Sequence, residues 1–93
     1  MNEKQREMAR HALGFPNKKN SSYRNYYSTE IGTPEYSEWM EMVASGYAIE
    51  RSPAGNSGHV MFHLTLQGAR LARDPNEHLS PEDCDGMRKL QAA

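Results

Sequence analysis

Two kinds of side chain alternate along residues 59–65, where Val60, Phe62 and Leu64 are separated by longer or more polar residues. This period of two places the three apolar side chains on one face of a β-strand. Because such a strand needs a partner strand and an apolar element against its buried face, the rest of the chain must supply both. The segment at residues 47–51 is predicted to be the partner, in an antiparallel β-hairpin around the loop SPAGNSG.

A helix that can cover the hairpin is predicted to begin after Thr33 and to reach Ser45. Thr33 supplies a capping hydroxyl, Pro34 suits the first helical position, and Glu35 faces the positive end of the helix dipole. Four large apolar residues fall on one helical face: Tyr36, Trp39, Met40 and Val43. We therefore expect this face to pack against the apolar face of the hairpin.

The other predicted helices are shorter or less apolar. One covers residues 2–13, another has the sequence LQGARLA and follows Thr65 as its cap, and a last one begins at Ser80. The last helix has a thin apolar stripe, which predicts a peripheral or frayed element. The stretch PNKKNSS is predicted to be a loop. After this loop, Ser22 is predicted to cap a short helical turn that carries three tyrosines: Tyr23, Tyr26 and Tyr27.

These elements predict a single small α+β domain over residues 1–73, with residues 74–93 as a peripheral helix or flexible tail. A chain of 93 residues suits one domain with a modest core. Twelve residues are expected to form that core: Leu13, Phe15, Tyr26, Ile31, Trp39, Met40, Val43, Ile49, Val60, Phe62, Leu64 and Leu71.

Cysteine use and apolar runs predict the compartment. The single cysteine, Cys84, cannot form a disulfide within the chain, whereas small secreted domains usually depend on disulfides. The first ten residues are rich in charge, which predicts no signal peptide. The longest apolar runs fall far short of the roughly 18 residues that a membrane span needs. We therefore expect a cytoplasmic protein without membrane contact.

Charge is distributed unevenly along a chain whose net charge is only -1. Residues 1–27 contain six bases and two acids, whereas residues 28–50 contain five glutamates and no base. Residues 51–73 contain three bases and no acid, and residues 74–93 contain five acids and two bases. Such segregation predicts an oriented surface that binds another macromolecule.

The segments WMEMVASGYAIER and MFHLTLQGARLA predict, in order, a helix, a glycine, a strand, a loop and a second strand. They end in the pattern Leu-Thr-x-x-Gly-x-x-Leu-Ala. This order resembles the C-terminal half of winged-helix domains, over residues 33–72. The resemblance implies a small winged-helix-like fold, in which the hairpin is the wing and the preceding helix faces the major groove of DNA. The segments HALGF and KKNSSYRNYY are similar to parts of small uncharacterised phage and prophage proteins, from which no site can be transferred.

The helix before the predicted wing carries acids where a DNA-reading helix needs bases. Glu35, Glu38 and Glu41 lie on it without a lysine or arginine, and Arg51 stands alone at the base of the wing. Such carboxylates repel phosphates but can pair with cations on a protein. We therefore predict a non-enzymatic, phage-type accessory protein that binds a host or phage protein complex through these four residues, in the host cytoplasm if the chain is phage-encoded. An inhibitor of a host defence or nucleic-acid-handling complex fits, and homodimer formation stays open.

The alternative is a winged-helix DNA-binding transcriptional regulator that uses the segment KKNSSYRNYY. Its candidate contacts combine cations for phosphates with aromatic rings for stacking: Lys18, Lys19, Tyr23, Arg24 and Arg51. The competing structural interpretation is a solvated loop followed by tyrosines that fill the core. Tyrosines spaced three or four residues apart on a helix often pack inward in this way.

No catalytic residue, metal site or cofactor is predicted. His59 and His63 have a spacing that zinc fingers use on a helix, but on a strand their imidazoles would lie about 13 Å apart. The remaining histidines and Cys84 supply no second ligand pair with a recognisable spacing. The acids on either side of Cys84 disfavour a reactive thiolate.

Overall fold

The computed structural model describes residues 1–51 and 58–92. Within these residues the chain forms four helices and three strands: α1 (Glu3–Leu13), β1 (Tyr27–Glu30), α2 (Pro34–Ala44), β2 (Ala48–Arg51), β3 (His59–Leu64), α3 (Leu66–Ala72) and α4 (Pro81–Ala92). The strands form one antiparallel sheet in the order β1-β3-β2. The predicted α+β class is confirmed, and the sheet has one strand more than the predicted hairpin.

The central strand, β3, supplies the middle of the core. Its side chains alternate as predicted, and Val60, Phe62 and Leu64 are buried. Phe62 stacks on Trp39 of α2 with the ring centroids 5.3 Å apart, which confirms that the hairpin packs against this helix. Most of the predicted loop between the two strands, residues 52–57, lies outside the described residues.

The helix α2 begins as predicted, and the centre of its buried face is shifted from the predicted stripe. The Thr33 hydroxyl accepts a hydrogen bond from the backbone N–H of Tyr36 at 3.2 Å. Trp39 and Met42 are buried, whereas the other members of the predicted stripe only border the core: Tyr36, Met40 and Val43. The buried face is therefore rotated toward Met42, and this rotation brings Glu38 against α1.

The strand β1 replaces the helical turn that was predicted after Ser22. Residues 22–26 are irregular, and the strand that follows pairs with β3, with Tyr27 opposite Phe62. Its sequence, YSTE, lacks the alternation of apolar residues that marks β3. The strand therefore depends on pairing with a segment 29 to 35 residues away, as the register shows.

The core differs from the prediction at its margins. Three predicted core residues are largely exposed: Tyr26, Ile31 and Leu71. Smaller side chains and methionines that were not predicted complete the buried cluster: Met8, Ala9, Ala12, Met42, Ala48, Ala69, Ala72 and Met87. Small residues on α1 and α3 let these two helices approach each other closely.

Local signals define the ends of α1 and the start of α3. Asn2 and Gln5 cap α1 reciprocally, since each side-chain oxygen accepts from the backbone N–H of the other residue, at 2.7 and 3.0 Å. Gly14 closes α1 with a φ of 88°. Thr65 caps α3 as predicted, accepting from the N–H of Gly68 at 3.1 Å.

Among the described residues, no helix is long and apolar enough to cross a membrane.

Residues 73–92 are packed on the rest of the chain more closely than the thin apolar stripe of α4 indicated. Met87 of α4 is fully buried. Glu77 is only 3% exposed and accepts two hydrogen bonds from the Arg10 guanidinium, at 2.5 and 2.7 Å. Arg6 pairs with Asp74 at 2.6 Å. These contacts hold the segment after α3 on α1, while the division of the chain after residue 73 stays a prediction.

Candidate functional site

The loop that carries Lys18 and Lys19 is fixed by the side chain of Asn17. Its amide nitrogen donates to the carbonyl oxygens of Gly14 and Ser21, at 3.0 and 2.9 Å. Its amide oxygen accepts from the N–H groups of Lys19 and Ser21, at 3.1 and 3.4 Å. Because such bonds define a turn without regular secondary structure, the loop has a set backbone path while both lysine side chains stay exposed.

Ser22 anchors the end of this loop to the segment before α4. It is 3% exposed, and its hydroxyl donates to Asp83 at 2.5 Å and accepts from the N–H of Ser80 at 2.9 Å. Its backbone N–H donates to the carbonyl oxygen of His78 at 2.8 Å. The predicted role of Ser22 as a helix cap is therefore wrong. Its hydroxyl instead binds Ser80 and Asp83, which follow it by 58 and 61 positions in the chain.

Tyr23, Arg24 and Tyr26 form a cluster of a cation and two aromatic rings. The guanidinium carbon of Arg24 lies 5.3 Å from the ring centroid of Tyr23 and 5.7 Å from that of Tyr26. Nε and Nη2 of Arg24 also donate to the carbonyl oxygen of His11, at 3.2 and 2.7 Å. Arg24 thus satisfies a carbonyl group at the C-terminal end of α1 and holds both rings there.

Both rings of this cluster are open to solvent. The exposed fraction is 63% for Tyr23 and 49% for Tyr26, whereas Tyr27 packs against the core. The interpretation in which the tyrosines fill the core is therefore right for Tyr27 and wrong for Tyr23 and Tyr26. The inward packing was inferred from helical spacing, and the chain is not helical here.

A surface pocket of about 470 Å³ lies beside the ring of Tyr23. It is lined by Asn17, Lys18, Lys19, Ser21, Ser22 and Tyr23. Three of the five residues predicted to contact nucleic acid, Lys18, Lys19 and Tyr23, therefore border one space. We call Lys18, Lys19, Tyr23 and Tyr26 together the lysine–tyrosine surface.

Asn25 fixes the point at which this segment meets the sheet. It lies opposite Leu64 if the register of β1 and β3 is continued. Its side chain donates to the carbonyl oxygen of Leu64 at 3.0 Å and accepts from the N–H of Leu64 at 2.8 Å. The carbonyl oxygen of Asn25 lies 2.7 Å from Nδ1 of His63. Sequence reasoning did not single out Asn25, and no local signal could, because its partners are 38 and 39 residues away.

Two of the three glutamates of α2, Glu38 and Glu41, contact the N-terminal end of α1. The side-chain amide of Gln5 donates to Glu38 at 3.1 Å and to Glu41 at 3.4 Å. These carboxylates lie at the N-terminal end of α1, where the helix dipole favours negative charge. Burial, together with the charge of Glu35, raises the pKa of Tyr27. In the part of the chain that the structure describes, no lysine or arginine forms an ion pair with Glu35, Glu38 or Glu41.

Arg51 was predicted to act with either surface. It ends β2, is exposed, and lies opposite Met61 of β3. Between the described residues, no hydrogen bond or ion pair links it to the glutamates of α2 or to the lysine–tyrosine surface. Its grouping with either set of residues stays a prediction.

The histidines of β3 have separate neighbours. Nε2 of His59 lies 3.9 Å from a carboxylate oxygen of Glu30, whereas His63 contacts Asn25. Across residues 1–51 and 58–92 there is no group of three or more His, Cys, Asp or Glu side chains that could hold a metal ion.

No family model, no curated protein and no solved structure matches the chain. The candidate binding surfaces are therefore the charged ones that the structure places near the two ends of α1.

Proposed function

We propose that the chain is a non-enzymatic binding module that takes nucleic acid on the lysine–tyrosine surface. The observation that carries the proposal is the exposure of Tyr23 and Tyr26 around Arg24, with Lys18 and Lys19 bordering the same pocket as Tyr23. Rings and cations side by side match the two chemistries of nucleic acid, since rings stack on bases and cations neutralise phosphates. The cytoplasm is the compartment that we propose for this activity.

The restraint on the two rings supports this proposal. Exposed apolar residues are common on proteins, and a single one needs no explanation. Here, however, Tyr23 and Tyr26 flank the same guanidinium, which is hydrogen-bonded to the end of α1. Rings that are exposed and already restrained lose less entropy when they stack on a ligand.

The local charge also supports a phosphate-bearing ligand. Residues 8–29 contain no acid and four lysines or arginines: Arg10, Lys18, Lys19 and Arg24. Arg10 is neutralised by Glu77, and Arg24 is bound to the end of α1. Lys18 and Lys19 are therefore the cations that we assign to phosphate binding.

The proposal includes a winged-helix-like fold for residues 33–72. The order of α2, Gly46, β2, β3 and α3 supports it, because the chain leaves α2 through a glycine with a φ of 83° and enters the hairpin. In such a fold α2 would be the helix that reads DNA, but its three glutamates would repel phosphates. We therefore assign nucleic-acid binding to the C-terminal end of α1 and not to α2.

The salt dependence of oligonucleotide binding tests this function. Each phosphate contact contributes about 0.7 to 0.9 to the slope of log affinity against log salt concentration. Replacing Lys18→Gln and Lys19→Gln together should weaken binding and reduce this slope by about 1.5. Lys89→Gln, which changes an exposed lysine of α4, is the matched control and should alter neither quantity. A double variant with the wild-type affinity and slope would contradict the proposal.

A protein partner is the second candidate, and the glutamates of α2 favour it. Because Glu35, Glu38 and Glu41 form no ion pair among the described residues, they could pair with cations of a host or phage protein complex. The chain would then be a phage-type inhibitor of a host defence complex. Under this candidate, wild-type protein captures a complex from nuclease-treated lysate, and a variant with all three glutamates changed to glutamine does not. Capture that disappears on nuclease treatment would favour nucleic acid instead.

A further inference from the structure

We propose that the lysine–tyrosine surface is specific for single-stranded nucleic acid, with bases stacked on Tyr23 and Tyr26 and phosphates beside Lys18 and Lys19. This inference rests on the proposed function, and it adds which form of nucleic acid binds and how it is held.

The exposed rings determine the form of the ligand. In a duplex the faces of the bases are covered by their neighbours, so that only an unpaired base can stack on a protein ring. Tyr23 and Tyr26 are both largely exposed, and their centroids lie 5.3 and 5.7 Å from one guanidinium carbon. One short segment of single strand can therefore reach both rings.

The backbone of the cluster is hydrogen-bonded to the C-terminal end of α1. The N–H groups of Tyr23 and Tyr26 donate to the carbonyl oxygens of Leu13 and Ala12, each at 3.2 Å. The ring of Tyr23 covers Gly14, where any added β-carbon would overlap it. Such restraint favours stacking because little order has to be imposed on the protein when it binds.

We assign the phosphate of a nucleotide stacked on Tyr23 to Lys18 and Lys19. Lys18 and Lys19 line the same pocket of about 470 Å³ as the ring of Tyr23. Asn17 fixes the loop that carries them. Two lysines can neutralise a short run of single strand, whereas a duplex calls for a wider basic stripe. The surface is therefore matched in both stacking and charge to a few unpaired nucleotides.

The test compares two ligands for the full chain at physiological salt: a labelled oligothymidine of about ten nucleotides, and a longer G·C-containing duplex that stays paired at the temperature of the assay. The single strand should bind at least about tenfold more tightly than the duplex. Tyr23→Ala and Tyr26→Ala should each weaken single-strand binding about tenfold, the effect of losing one base stack. Tyr23→Phe and Tyr26→Phe keep the ring and should stay within about twofold of wild type. Ile31→Ala removes an exposed apolar side chain outside the surface and is the matched control.

The outcomes distinguish this inference from the proposed function. Equal binding of duplex and single strand, or alanine variants that bind like wild type, would overturn single-strand stacking. If the Lys18 and Lys19 double variant still loses binding in that case, nucleic-acid binding itself stands. If neither oligonucleotide binds the wild-type protein, both proposals fail. If an alanine variant does not fold, as judged by circular dichroism, Tyr23→Leu and Tyr26→Leu replace it. Leucine keeps the apolar bulk without the aromatic face, so these variants must bind as weakly as predicted for the alanine variants.

Discussion

Side chains of opposite charge contact the two ends of α1, and they do so in different ways. At the N-terminal end, the amide of Gln5 donates to the carboxylates of Glu38 and Glu41. At the C-terminal end, the guanidinium of Arg24 donates to the carbonyl oxygen of His11. Both arrangements suit the helix dipole, which favours acids at the start of a helix and bases at its end.

The two ends differ in whether the candidate binding side chains themselves form hydrogen bonds. At the acidic end, hydrogen bonds restrain the glutamate side chains themselves. At the basic end, hydrogen bonds restrain the backbone of Tyr23 and Tyr26 and of the lysine loop, and the side chains stay exposed. A binding surface needs a fixed framework with side chains that remain free to contact a ligand. The acids of the segregated sequence therefore have a structural role at the N-terminal end of α1. Under the proposal, the bases at its C-terminal end have a binding role.

The largest effect on stability is expected at Trp39, whose substitution tests whether the surfaces at both ends of α1 depend on one core. Its side chain is fully buried and packs on the rings of Phe62 and Tyr27. Trp39→Ala should lower the free energy of unfolding by about 3–5 kcal/mol, as truncation of a large core aromatic does. Urea denaturation measures this change, and Ile31→Ala, the exposed control, should shift stability by less than about 0.5 kcal/mol. An unchanged urea midpoint for Trp39→Ala would show that the core is assigned wrongly.

The next largest effect is expected at the Arg10–Glu77 pair, which joins the C-terminal half of α1 to the segment after α3. Glu77→Gln removes the buried carboxylate partner of Arg10 and leaves only the half-exposed Asp74, at 3.5 Å, so it should lower the free energy of unfolding by about 3 kcal/mol. The lower part of the range for buried pairs applies because 13% of the Arg10 side chain remains exposed. Asp85→Asn, which breaks an exposed pair with Arg88, is the control and should have little effect.

The same pair gives a pH dependence with a defined sign. The hydrogen bonds from Arg10 lower the pKa of Glu77 below its ordinary value. Its contribution to stability is therefore fully present above that ordinary value and is lost as the pH falls through the folded-state pKa. Between neutral pH and the acidic range, wild-type stability should fall more steeply than that of Glu77→Gln. Parallel curves would rule out the ion pair as a source of stability.

Elements with local signals could be predicted from the sequence. The hydroxyls of Thr33 and Thr65, the glycine after α1 and the alternation in β3 each act within a few residues, so the positions of α1, α2, α3 and the hairpin were predicted closely. β1 could not be predicted in this way, because its four residues become a strand through pairing with β3. The contacts of Ser22 and Glu77 were missed for the same reason, with partners 61 and 67 residues away.

The candidate site was predicted in part. Lys18, Lys19 and Tyr23 are near neighbours in the sequence, so their grouping around one pocket follows from KKNSSYRNYY. The exposure of Tyr26 could not be predicted, because inward packing was inferred from a helical spacing that the chain does not adopt. The role of Arg24 as a link between two rings and α1 also depends on tertiary structure.

Charge reversal at the two ends of α1, measured by binding of the same single-stranded oligonucleotide, is the most direct test of where nucleic acid binds. Lys18→Glu with Lys19→Glu should abolish measurable binding, because two attractive phosphate contacts become repulsive. Changing Glu35, Glu38 and Glu41 together to lysine should preserve or strengthen binding, because it removes repulsion at the other end. The opposite pair of results, in which the lysine variant binds like wild type and the glutamate variant loses binding, would contradict binding at the lysine–tyrosine surface.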